Sequence, residues 1–279
     1  MDQPLVYIIV LNWNGRDLLD DCLSSLQKVT YYNYRILLVD NGSSDDSVEF
    51  VQSQFQRVEV LQLDQNHGFA KGNNLGFEYA IKNSAEFVIF LNNDTKVDHN
   101  FIEPLITPFI DENIGQTVPK IYYADEPEKI WYAGGRINFW TGNIFHVGIR
   151  QKDREEFNSP ASTDYATGCC FAMRASDYAD LSGFDESFTM YGEDADLSIR
   201  INKNGKRVLF APGSKIYHKV SASIGGAFSL SKIKRKLLAN FRIMLKYTQP
   251  FQWLVQLICF PFLIVCGIIK YFRLRFFNK

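Results

Sequence analysis

An α/β fold, with a mostly parallel central sheet flanked by helices, is predicted by three features of this 279-residue sequence. Short apolar runs rich in β-branched residues recur along the first third, as strands buried on both faces require. Helical patterns separate them, and strand-helix alternation implies parallel pairing through right-handed crossovers. Polar clusters follow the strands at their carboxyl ends, where open α/β sheets bind ligands.

The strands are expected at residues 5 to 11 (LVYIIVL), 35 to 39 (RILLV), 58 to 63 (VEVLQL) and 87 to 91 (FVIFL). Leu18, Leu19, Cys22, Leu23 and Leu26 make one helical stripe between them. Val48, Val51 and Phe55 make another, behind cap signals at Ser43, Ser44 and Asp45. Residues 117 to 174 read as shorter strands, with a hairpin signal at Thr141, Gly142 and Asn143 and a further strand in TGCCFAMR. A helix is predicted from Glu193 to Asn204, with acids in its first turn and Gly205 as its stop, followed by the strand RVLFAP.

The net charge of -1 hides an asymmetry. Residues 225 to 279 hold ten Lys or Arg and no acid, leaving twenty basic against thirty-one acidic side chains in residues 1 to 224. A basic, apolar tail on an acidic body suits an anionic lipid surface better than nucleic acid. Five cysteines, Cys22, Cys169, Cys170, Cys259 and Cys266, form no C-x-x-C pair and read as reduced thiols of a cytosolic compartment. The start, MDQPLVYIIVLNW, lacks a basic n-region and reads as neither signal nor transit peptide.

Three clusters carry chemistry. Asp40, ending the second strand, suits hydrogen bonds to a ribose or a pyrimidine N–H, and equally an Asx-type turn through LVDNGSSDDS. In FLNNDT, Asn92 and Asp94 stand two apart after a buried strand, a spacing that suits a hard divalent cation holding a diphosphate, or a plain polar turn. His218 would add a nitrogen ligand if the chain returns there, tilting the choice toward Mn²⁺ over Mg²⁺. His67, His99 and His146 read as ordinary polar residues. MYGEDADL sets three acids at a helix start, where the dipole favours them; one of them could also be a general base. NHGFAKGNN offers Lys71 near a helix start, and its glycines match no Walker pattern.

Together VYIIVLNWNG, LLVDNGSSDDS, NHGFAKGNN, FLNNDT, ATGCCFAMR, GFDESFTMYGEDADLSIR and YHKVSAS resemble family 2 glycosyltransferases, in particular the bacterial rhamnosyltransferase-like branch, over residues 4 to 224. The resemblance implies the Rossmann-like GT-A fold, a dTDP- or UDP-sugar donor, Mn²⁺ or Mg²⁺, and inversion at the anomeric carbon. It makes Asp194 the catalytic base, with Glu193 near the acceptor, and Asp94 and His218 the metal ligands. It makes Asp40 the base-recognising acid, in a donor site that also takes in Asn12, Asn14, Ser43, Lys71, Asn92 and Asn93. Gly168 and Cys169 resemble the loop beside the acceptor pocket. Asn92 replaces the first acid of the family's Asp-x-Asp motif, and the Q-x-x-R-W signature of processive polymerases is absent, which implies addition of one or a few sugars.

Residues 1 to 224 are thus expected to form the catalytic domain, 1 to 95 facing the donor and 96 to 224 the acceptor. In residues 229 to 247, Leu230, Ile233, Leu237, Phe241 and Met244 form a stripe edged by Lys and Arg, the pattern of a helix lying in a membrane interface. Trp253 to Ile269 is short for a span and contains Pro261, so a re-entrant or interfacial hairpin ranks first, a span second and a homodimer contact third. The expected function is transfer of rhamnose or another hexose to a saccharide acceptor, lipid-linked, in cell-surface polysaccharide synthesis at the cytoplasmic face of the inner membrane. The alternatives are a sugar nucleotidyltransferase and an inactive sugar-nucleotide or glycan binder.

Overall fold

The computed structural model describes residues 3–188, 190–220, 230–259, 261, 262 and 265, with the backbone alone at 230–233. Its first half alternates as the sequence predicts: β1 (Val6–Asn12), α1 (Arg16–Leu26), β2 (Tyr34–Asp40), α2 (Ser47–Gln54), β3 (Val58–Gln62), α3 (Gly68–Lys82) and β4 (Phe87–Asn92). There follow β5 (Thr95–Val97), α4 (Ile102–Ile106), β6 (Ile114–Tyr123), β7 (Ile130–Tyr132), β8 (Gly135–Asn138), β9 (Asn143–His146), β10 (Ala161–Thr163) and β11 (Cys170–Arg174). Then come α5 (Ala175–Asp180), α6 (Glu193–Lys203), β12 (Arg207–His218) and α7 (Leu230–Tyr247).

The main sheet runs β10-β12-β6-β11-β4-β1-β2-β3. From β4 to β3 every pair is parallel, and the buried runs VYIIV and ILLVD show why: helices cover both faces, so both side-chain sets are apolar. Beyond β4 the sheet is mixed, with β11 antiparallel to both β4 and β6 and β12 parallel to β6. Register sets the strand ends side by side, Asn12 beside Asp40 and Leu11 beside Asn92. Antiparallel β5 sets Thr95 against His218.

RVLFAP does not end at its Pro-Gly pair. β12 runs on to His218 through a register shift between Ala211 and Lys215, because β6 continues alongside and a bulge absorbs the proline's missing donor. Gly135 opens β8 with the Tyr165 ring where a Cβ would stand. Gly135→Ala should therefore lower stability by about 1–3 kcal/mol through overpacking, read as a lower urea midpoint with an unchanged slope.

Helix α7 packs on this body with Ala239, Ile243 and Met244 inward, whereas Leu237, Leu238, Phe241 and Leu245 are exposed. The expected stripe is therefore split: Met244 is buried, Leu237 and Phe241 face out, and the side chains of Leu230 and Ile233 lie outside the described residues. Residues 250–259 are helical too. Gln256 is buried there, donating to Phe139 O at 2.6 Å, while Phe251, Leu254, Leu257 and Ile258 are exposed. Among the described residues no helix is long and apolar enough to cross a membrane, and residues 260, 263, 264 and 266–279 lie outside them.

Candidate active site

At the ends of β1 and β2 a polar corner is closed by the chain's own groups. Asp40 is fully buried; its Oδ2 accepts the Ser43 amide at 3.1 Å and its Oδ1 accepts Asn12 Nδ2 at 3.4 Å. Turn bracing is thus realised at Asp40, and α2 begins only at Ser47. Asn14, at φ 48°, donates its amide to Ser43 Oγ at 2.9 Å and accepts the Ser44 amide at 2.7 Å. Asn12 Oδ1 accepts Asn93 Nδ2 at 2.7 Å, which ties this corner to the end of β4. Asn41 accepts the His67 amide and donates to Gly68 O, pinning the start of α3, on whose first turn Lys71 is half-buried. Sequence reasoning passed over Asn41, although its place directly after Asp40 was a signal.

Beyond β4, the Asn92 amide donates to Cys169 O at 2.9 Å, while its side chain makes no hydrogen bond among the described residues. Asp94 is 4% exposed and His218 8% exposed. Asp94 Oδ1 lies 3.1 Å from His218 Nε2 without hydrogen-bond alignment, and both Asp94 Oδ1 and His218 Nδ1 are buried without a partner. Unsatisfied buried polar atoms are rare, and the orphaned Asp94 Oδ1 facing His218 Nε2 fits a divalent cation, the unpartnered Nδ1 being the other ring nitrogen. Among the described residues no group of three His, Cys, Asp or Glu gathers. The Trp131 ring stands edgewise between the rings of His218 and His146, 4.6 Å from each. Burial first, and then the Lys236 charge, lower the pKa of His146 to about 4, so it is neutral. Nothing in a lone histidine on a hairpin signals that place.

The acidic pair stands at a strained turn. Tyr191 (φ 69°) and Gly192 (φ 92°) are both left-handed and launch α6, whose first residues are Glu193 and Asp194. Asp194 accepts the Gly168 amide at 2.9 Å and the Ala195 amide at 2.8 Å. Burial raises its pKa, against the pull of these bonds and of Lys236. Glu193 is 6% exposed with Oε2 unpartnered; burial raises its pKa and the Asp194 charge adds to it. Cys169 offers only backbone here, since its thiol is buried and pushed well up by that burial.

The raised Glu193 has a pH signature. Above 4.5, the ordinary glutamate value, the unfolded chain ionises there while the native state keeps its proton, so this residue's contribution to stability falls as pH rises through the native titration. Glu193→Gln should thus gain on the wild type with rising pH, its melting advantage being larger near about pH 9 than near about pH 4.

Behind the pair, fully buried Asp196 accepts Arg200 Nε at 2.8 Å, Lys246 Nζ at 2.6 Å and the Tyr247 hydroxyl at 2.6 Å. Lys246 also reaches Asp185 at 2.7 Å, and Arg242 donates to Ser187 O. Helix α7 is thereby fastened to the segment that carries the acids. Sequence reasoning missed this clasp, because MYGEDADL does not say which acid turns inward.

An α/β sheet with acids and a histidine at its carboxyl edge defines the class, and the fold is GT-A. The chain belongs to glycosyl transferase family 2, whose family model matches residues 7–182. A second model, described as the N-terminal domain of galactosyltransferase, matches residues 150–232. The O-antigen biosynthesis protein RfbC of Myxococcus xanthus is 28% identical over 79% of this chain, which spans only 18% of that protein. The N-acetylglucosaminyl-diphospho-decaprenol L-rhamnosyltransferase of Mycobacterium tuberculosis is 24% identical, over 78% of this chain and 77% of its own length. Among solved structures, GalNAc-T7 with UDP, GalNAc and Mn²⁺ superposes with a TM-score of 0.69 at 21% identity, covering 86% of this chain and 47% of that one. The mannosyltransferase PcManGT from Pyrobaculum calidifontis, with GDP-Man and Mn²⁺, gives 0.66 at 15% identity, covering 93% and 70%.

Proposed function

We propose that the chain is a metal-dependent inverting glycosyltransferase that moves rhamnose or another hexose from a dTDP- or UDP-sugar to a lipid-linked saccharide in cell-surface polysaccharide synthesis. What carries this reading is a line of hydrogen bonds along the sheet edge, joined through chain neighbours. It runs from Asp40 through Asn12 to Asn93, beside Asp94 and His218, and from Asn92 through Cys169 to Gly168 and Asp194.

In this reading Asp40, Asn12, Asn14 and Ser43 form the nucleoside corner, with Lys71, Asn92 and Asn93 toward the phosphates. Asp94 and His218 hold Mn²⁺ or Mg²⁺, which when bound offsets charge on the departing diphosphate. Asp194 takes the proton from the acceptor hydroxyl as its oxygen attacks the anomeric carbon from the face opposite the leaving group. The amides of Gly168 and Ala195 aim that carboxylate, and Glu193 Oε2 accepts from a second acceptor hydroxyl. Residues 1–224 serve as the catalytic unit. Residues 229–279 work at the cytoplasmic face of the inner membrane, supported by their exposed apolar side chains and excess of basic charge. The Mycobacterium tuberculosis relative's diphospho-lipid acceptor supports the lipid-linked acceptor.

A panel of UDP-, dTDP- and GDP-sugars with Mn²⁺, Mg²⁺ or EDTA tests this. Metal-dependent release of one nucleoside diphosphate is expected. Release of pyrophosphate would identify a nucleotidyltransferase, binding without turnover a glycan or sugar-nucleotide binder, and absence of any donor binding would end the proposal.

A further inference from the structure

The tip of the β8–β9 hairpin belongs to the catalytic half of the chain, yet it packs on the C-terminal tail. Phe139 O accepts Gln256 Nε2 at 2.6 Å, and a Cβ at Gly142 would stand 3.7 Å from Gln256 Cδ and 3.8 Å from Met244 Cγ. The tip is also braced within itself. Asn138 Oδ1 accepts the Trp140 amide at 2.9 Å and the Thr141 amide at 3.1 Å, and Asn138 O accepts the Gly142 amide at 2.8 Å. This rigid turn presents Trp140, 51% exposed, with its ring 5.5 Å from that of Phe251, itself 58% exposed. From Phe251 onward Leu254, Ile258, Phe262 and Val265 are exposed as well, at the three- and four-residue intervals of one helical face. No charged residue occurs between Lys246 and Lys270.

Large apolar side chains left in water cost free energy in proportion to their area, so a face of this kind marks a partner. A bilayer or a second copy of the chain would cover it. Residues 225–279 hold ten Lys or Arg and no Asp or Glu, so two tails face to face would bring like charges together, whereas anionic headgroups complement them. An indole beside a phenyl on an apolar face also suits the boundary between lipid and water. We propose that the β8–β9 tip, through Trp140, enters an anionic bilayer together with the Phe251 face, as a second anchor supplied by the catalytic body. This rests on the membrane reading of residues 229–279 and extends it to a part of the chain that lies outside the tail. The same hairpin carries His146, whose ring flanks Trp131 beside His218, so seating Trp140 in lipid fixes how far Asp94 and His218 stand from the surface.

Cosedimentation of the full chain with phosphatidylglycerol–phosphatidylcholine vesicles tests this in Trp140→Ser, Trp140→Phe and a control, Ile110→Ser, at an exposed apolar residue between α4 and β6. Trp140→Ser should weaken binding roughly tenfold, the loss of about half an indole's burial, while Trp140→Phe keeps most of the affinity and Ile110→Ser binds like the wild type. Serine at 140 keeps the backbone amide that Asn138 holds, and a melting curve checks the fold. Phosphatidylcholine brominated in its acyl chains should quench wild-type tryptophan emission more than that of Trp140→Phe, a comparison that stands even if Trp140→Ser does not fold. Equal quenching in those two, or vesicle binding by folded Trp140→Ser as tight as the wild type's, would overturn the proposal and leave the tail as the anchor. A wild type that does not bind vesicles at all would end the membrane reading and the second anchor together. Sedimentation without lipid reads the other occupant: a wild-type dimer that Trp140→Ser splits would assign the face to a second copy. Cleavage of sugar nucleotides with Mn²⁺ should be equal in the wild type and Trp140→Ser, so the enzymatic reading is tested apart from the anchor.

Discussion

Asp194→Asn should reduce turnover in sugar transfer by about 10²- to 10⁴-fold, the range spanned by a positioned general base. The side chain keeps its shape but loses its basicity, and one of its two atoms can no longer accept from Gly168 or Ala195. Donor KM should stay near the wild-type value, because the nucleoside corner sits at the far end of the hydrogen-bonded path. A melting curve checks that the altered turn still folds. Should turnover fall by less than about tenfold, the base is not Asp194. Glu193→Gln then becomes the informative variant, since Glu193 Oε2 is buried without a partner and its raised pKa suits proton transfer near neutrality.

The second large effect is expected at the metal pair. Asp94→Asn and His218→Gln should each weaken Mn²⁺ binding by at least about 10- to 100-fold, since changes even to residues behind metal ligands cost that much. Electron paramagnetic resonance of free Mn²⁺ reads this without any substrate. Glutamine keeps most of the imidazole's volume, so the packing of Trp131 beside His218 is disturbed less than by alanine. If both variants bind Mn²⁺ like the wild type, Asp94 and His218 are a buried contact and not a ligand set.

Local sequence carried the first half of the fold well. The runs ending at Asn12, Asp40 and Asn92 are apolar on both faces, and only a central strand covered by helices tolerates that. Strand-end acids could be found because the chain must leave the sheet there. α6 was legible because Gly205, at φ 77°, ends it as a helix stop should. What failed was decided by distant partners. The continuation of β12 past Pro212 depends on β6, which no local pattern records. The stripe expected on α7 departs at Met244, which packs inward with Ala239 and Ile243 while Leu237 and Phe241 face out, because periodicity cannot say which apolar set meets the body. The same blindness hid Trp131, His146 and the clasp at Asp196.

That clasp sets what can be exchanged between proteins. A chimera that takes α7 alone onto another catalytic body would carry Lys246 and Tyr247 without the carboxylate that receives them, and a donor protein stripped of α7 would keep Asp196 buried with only Arg200 opposite. The portable module is therefore discontinuous in function but continuous in sequence, from the loop at Leu181 held by Arg200 through to Tyr247. Recombination that respects those borders moves the acidic pair together with α7, so the turn and the helix fastened to it would be inherited as one unit.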